Sequence, residues 1–178
     1  DSDLDWSTLE LTEIGFGDRL ITVPAGSQYF RTTVPMSWNG QDFVVDVEAG
    51  LNAETGEFRA IFQTINPVTG LPPDVLTGFL PPEDGTGRGQ GHVSYIVRPR
   101  AGLATGTEIT NIALITFDSG ETIATNQIDP HDPSQGTDPA KEARNTIDSG
   151  APTSTVDPLP QFTTSNSLTV NWSGSDDA

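Results

Sequence analysis

Along residues 4–14, Leu4, Trp6, Leu9, Leu11 and Ile14 are separated by polar residues, which predicts an extended strand with one slip in its alternation. Gly15-Phe16-Gly17-Asp18 is expected to break that strand. Residues 20–23 and 29–34 read as two more strands on either side of Pro24-Ala25-Gly26-Ser27. The clearest pair follows. Over 43–51, Val45, Val47, Ala49 and Leu51 share one face, with Asp46 and Glu48 on the other. Phe58, Ala60 and Phe62 repeat the alternation beyond 52–56, a loop that ends in Gly56 and so tolerates a positive φ.

Residues 66–91 form a long loop punctuated by five prolines, and Val75, Leu76, Phe79 and Leu80 are the side chains expected to pin it to a core. In 92–97, Val93, Tyr95 and Val97 share a face. In 108–117 both faces are apolar, with Ile109, Ala113, Ile115 and Phe117 against Ile112 and Leu114, which predicts a strand buried on both sides. One segment, 138–144, looks helical, with Asp138 as N-cap and Pro139 at the first helical position. About nine strands and one short helix predict an all-β fold, an antiparallel β-sandwich of Ig-like or jelly-roll type. The expected division is a β-sandwich module over 1–148, with an acidic insertion at 127–145. Residues 149–178 are then a linker and the first strand (167–172) of a following, truncated Ig-like domain.

Composition narrows the function classes. The 178 residues carry 25 acids against 8 basic side chains, a net charge of −17. A surface this acidic cannot neutralise a run of phosphates, so nucleic-acid binding is excluded, and adhesion to anionic membranes is disfavoured. Divalent cations remain natural partners. With no cysteine there are no disulfides, thiolate metal sites or thiol nucleophiles. No apolar run is long enough for a membrane span, so membrane insertion is not expected. The opening Asp1-Ser2-Asp3-Leu4-Asp5 reads as the start of an excised piece.

Three stretches carry a resemblance. They are Leu4-Asp5-Trp6-Ser7-Thr8 with Gly15-Phe16-Gly17-Asp18, Gly78-Phe79-Leu80-Pro81-Pro82 with Gly89-Gln90-Gly91-His92-Val93-Ser94-Tyr95, and Gly106-Thr107-Glu108-Ile109 running to Phe117-Asp118. Together they resemble a β-sandwich repeat module of very large secreted or surface-attached bacterial proteins. In that family an Ig-like or fibronectin-like module follows, and Ala151-Pro152-Thr153-Ser154 with Trp172-Ser173-Gly174-Ser175-Asp176-Asp177 looks like its opening. The resemblance implies an extracellular or cell-surface location. It also implies neighbouring modules of the same polypeptide as partners, with a cell-surface glycan or protein as a further one. The chain departs from the pattern in the long acidic run between Asn126 and Thr146.

That run is where special chemistry is expected. Asp129, Asp132 and Asp138 are each followed by proline, and Asp118 and Glu121 lie at the end of the preceding strand. Ca²⁺ takes about six to eight oxygen ligands, and prolines lower the entropy lost in holding a carboxylate loop in shape. These five acids are the candidate ligands, although no glutamate closes an EF-hand loop. The competing reading is a solvated loop whose aspartates cap turns. Asp1, Asp3 and Asp5, and the pair Asp176 and Asp177, are weaker candidates for sites at module junctions.

Catalysis has little support. His92 opens a strand, His131 lies among carboxylates, and a Ser134–His131–Asp132 triad would have to be built from neighbours in one loop. The 85–91 glycines lack the Gly-Lys-Ser/Thr ending of a phosphate loop. Lys141, the only lysine, could form an isopeptide bond if it were buried beside an acid, and an Asp-Pro bond could cleave. The expected function is a non-enzymatic, calcium-stabilised structural or adhesive module. The alternative is carbohydrate binding, with Trp38 stacking on a sugar beside Asn39 and Asp42.

Overall fold

The computed structural model describes residues 2–118 and 120–177. They fall into two compact units, Ser2–Pro99 and residues 100–177. Residues 100–148 group with the tail.

The first unit contains β1 (Leu4–Phe16), β2 (Arg19–Thr22), β3 (Tyr29–Trp38), β4 (Gln41–Asn52), β5 (Glu57–Ile65) and β6 (Gly91–Pro99). They form two antiparallel sheets, β2-β1-β6 and β3-β4-β5. Both sheets feed one apolar cluster. Leu11, Ile14 and Phe16 come from β1, Val23 follows β2, and Phe43, Val45, Val47 and Ala49 come from β4. The odd positions of 43–49 are buried and the even ones half-buried, as the alternation predicted. Each of these Leu, Ile, Val and Phe side chains contributes roughly 1.5–3 kcal/mol through removal from water, before conformational entropy is subtracted.

Two turns fix the registers. Asn39 (φ 49°) and Gly40 (φ 77°) join Trp38 to its partner Gln41, a two-residue hairpin turn with both residues left-handed. At the β1–β2 turn the strand runs through the expected break at Gly15 and on to Phe16. Gly15 is in strand because it faces His92 on β6, where a Cβ would lie 2.3 Å from the imidazole Cε1.

Within 66–91, Phe79 and Leu80 pack against the core as expected, whereas Val75 and Leu76 are exposed. The Phe79 ring meets Phe16 edge-on at 5.5 Å and stacks on Phe62 at 5.6 Å. Three of the loop's glycines are held by Glu83, whose carboxylate accepts from the N–H groups of Gly85, Gly87 and Gly89. These bonds, the one from Gly87 foremost, hold its pKa below the usual carboxylate value.

The second unit holds β7 (Glu108–Asn111), β8 (Leu114–Thr116), β9 (Thr122–Ala124), β10 (Ala143–Thr146), β11 (Thr153–Val156) and β12 (Trp172–Ser175). They pair as the ribbons β7–β10, β8–β9 and β11–β12. The doubly buried strand expected over 108–117 is not formed. The chain changes partner at 112–113, and Ile112, Leu114, Ile115 and Phe117 are all exposed. The expected helix at 138–144 is also absent. Asp138 caps as predicted, but only a 3₁₀ turn, Pro139–Lys141, follows before Glu142 turns extended at ψ 139°. Pairing of β10, which carries the β-branched Thr146, with β7 outcompetes the helix. The fold class is all-β, without the short helix. Among the described residues, no helix is long and apolar enough to cross a membrane.

Candidate metal centre

The acidic loop is held shut by its own backbone. Asn126 O accepts from Asp138 N, Gln127 bridges to Thr137, and Ile128 N donates to Gly136 O. Its aspartates serve as turn caps. Asp129 Oδ1 accepts from His131 N, Asp132 Oδ1 from Ser134 N and Oγ, and Asp138 Oδ1 from Ala140 N. Ser134 Oγ is thereby turned to Asp132, and it is the largest cause of that carboxyl's lowered pKa, ahead of Gln135. Asp118 lies in the β8–β9 turn with φ 50°, and Glu121 is exposed just before β9. The five predicted ligands do not form a group with converging oxygens among the described residues.

A cation does enter this loop, and it belongs to the protein. Lys141 Nζ donates to the carbonyls of Gln127 and Ile128, 2.9 Å from each. Beside it Glu142 accepts from Nδ2 of the buried Asn126, whose Oδ1 has no hydrogen-bond partner. Lys141 is exposed, on a 3₁₀ turn rather than the expected helix, and its isolation among acids is the sequence signal for this bracing role.

Carboxylates do converge elsewhere in the second unit. Asp148, Asp176 and Asp177 each present an oxygen within 4.8 Å of the others. The β11–β12 register causes this. Thr153 pairs with Ser175, so the chain before 153 and the chain after 175 leave the ribbon side by side. Gly150 leaves the space, since a Cβ there would lie 1.7 Å from Asp177 Oδ1. Asp148 accepts from Gly150 N and Asp176 from Asp177 N, so two of the carboxylates are oriented by backbone. All three are exposed. The sequence drew attention to Asp176 and Asp177, and only strand pairing supplies Asp148. At the other suggested junction, Asp1 lies outside the described residues and Asp5 caps Ser7.

The candidate sugar platform is partly occupied. The Arg88 guanidinium lies 6.0 Å from the Trp38 ring centroid, Asn39 is consumed by the hairpin turn, and Asp42 is exposed beside it. His92 Nε2 is 2.9 Å from Glu13 Oε1. The chain matches no protein family, no curated protein and no solved structure.

Proposed function

We propose that this chain is a non-catalytic β-sandwich module of a large extracellular surface polypeptide, with a structural or adhesive role, and that Ca²⁺ stabilises it through Asp148, Asp176 and Asp177. The observation that carries the reading is the approach of these three carboxylates to within 4.8 Å, into space that Gly150 leaves open. Like charges at that spacing repel, and a hard divalent ion that prefers carboxylate oxygen reverses the sign of the interaction. The site lies where the chain enters and leaves the β11–β12 ribbon, so an ion there ties the preceding segment to the ribbon's end. Extracellular placement rests on the repeat-module resemblance carried by the 4–18, 78–95 and 106–118 stretches.

An ion bound only by the folded form stabilises it by mass action, about 2.7 kcal/mol at a hundredfold excess over Kd. The test is thermal melting with millimolar Ca²⁺ and with chelator, backed by calorimetric titration. The expected result is a higher Tm with Ca²⁺, lost in Asp177→Asn and kept in Asp129→Asn and Asp132→Asn. Equal Tm values with ion and chelator would sink the calcium reading. Loss confined to the Asp129 and Asp132 variants would return the site to the acidic loop.

A further inference from the structure

We infer that the outer edge of β5 is a docking site for an extended, basic peptide segment, which adds to the β3-β4-β5 sheet as a fourth strand. This inference is independent of the calcium site.

Backbone parity shows which groups are free. Leu51 N donates to Gln28 O, so odd residues of β4 bond toward β3 and even residues toward β5. Glu48 pairs with Ile61 and Gly50 with Arg59, so the odd residues of β5 bond to β4. Phe58, Ala60, Phe62 and Thr64 therefore present their N–H and C=O groups outward. Among the described residues, none of these four makes a backbone hydrogen bond outside the β4–β5 ladder.

Exposed edges invite strand addition, and proteins commonly protect them with proline, irregular pairing or shortness. The other three edges of the first unit carry such devices. In β3, Pro35 falls at an outward-facing position, where its missing N–H interrupts the row. Two register shifts break the pairing of β6 with β1, and β2 has only four residues. In contrast, β5 runs nine residues without proline, bulge or lysine. Strand addition gains affinity from main-chain bonds and specificity from recesses that accept alternate side chains. A recess of about 270 Å³ lies on the outer face of this sheet beside the edge, with Gly50 in it beneath Tyr29, and is lined by Glu48, Glu57, Arg59 and Ile61. Two carboxylates against one guanidinium, on a chain of net charge −17, favour a cationic side chain there and steer a basic segment toward it. The same charge opposes pairing with a second copy of the chain.

The experiment adds a capped peptide of alternating lysine and valine, as long as β5, and follows amide hydrogen exchange by NMR. The expected result is exchange slowed by about tenfold or more at Phe58, Ala60, Phe62 and Thr64, with a glutamate–valine peptide leaving these amides unchanged. Ala60→Pro removes one outward N–H without touching the β4 ladder, as Pro35 does in β3, and should abolish the protection. Should that variant misfold, a lysine–valine peptide N-methylated at every residue replaces it on the unaltered protein and should not bind. No protection with the lysine peptide, equal protection with either charge, or binding of the N-methylated peptide overturns the proposal. So does protection that rises with protein concentration alone, which would assign the edge to a second copy.

Discussion

The three-ring cluster of Phe16, Phe62 and Phe79 allows a quantitative test of how the 66–91 loop is anchored. Phe16 is 2% exposed, and its ring meets Phe62 at 5.6 Å and Phe79 at 5.5 Å, both edge-on. Phe62 and Phe79 stack at 5.6 Å. Replacing a ring by leucine keeps most of the buried volume and removes the ring geometry, which is worth about 0.5–1.5 kcal/mol per aromatic pair. Phe16→Leu and Phe79→Leu each remove two pairs, so each should cost about 1–3 kcal/mol. The double variant removes three pairs, because the Phe16–Phe79 contact is shared. Its cost should fall short of the sum of the single costs by about 0.5–1.5 kcal/mol. For a unit of this size each kcal/mol shifts Tm by about 4–8 °C. Guanidinium unfolding of the four proteins measures the cycle, and an unchanged m-value confirms that the same surface is exposed on unfolding in each. Costs that add to within about 0.3 kcal/mol would show that the loop is not seated on Phe16.

Further outcomes follow from the turns and the charges. Gly40→Ala meets no atom within 4 Å, so its cost comes from the backbone at φ 77° and should be about 1–2 kcal/mol by denaturant titration. Thr86, Arg88 and the Thr86 amide hold Asp84 down to about 2 from 3.8, and Asp46 and Asp132 are lowered by Thr33 and Ser134 respectively. A depressed carboxyl stabilises the fold above its unfolded pKa, and this contribution fades as pH falls. Tm should therefore drop between about pH 4 and pH 2, and a Tm that is flat or rising there contradicts the assignment. Lys141→Met removes two charge-assisted bonds to the carbonyls of Gln127 and Ile128. Amide exchange across 126–142 should quicken by an amount equivalent to about 1–3 kcal/mol of local stability, while β3-β4-β5 is unaffected.

The first unit was largely legible because β4 lies between two strands and has one face on the core. Burial at every second residue of 43–49 follows directly from a period of two. Phe16 was misread as part of a break because flanking glycines signal turns, and the steric reason for Gly15, the imidazole of His92, lies on a strand distant in sequence. Residues 108–117 misled for a different reason. An apolar pattern on both faces predicts burial, but it carries no information about a change of partner at 112–113. The acidic loop shows the limit for sites. Counting carboxylates does not reveal whether they turn toward an ion or toward an N–H two residues ahead, and Asp129, Asp132 and Asp138 do the latter. Asp148 joins Asp176 and Asp177 only through strand pairing, which short-range pattern does not encode.

The same local bond recurs along the whole chain. Asn52, Asn66, Asp74, Asp84 and the three loop aspartates each accept from the amide two positions later. Contacts this short close in roughly tens of nanoseconds, against microseconds for a hairpin. The connecting segments can thus take shape while the polypeptide is still emerging during synthesis, before any sheet exists. The slow step left for folding is to pair β6 with β1, whose partners from Leu4 with Pro99 to Phe16 with Gly91 lie far apart in sequence, and the rate of maturation should depend on that alignment rather than on the ordering of the acidic stretches.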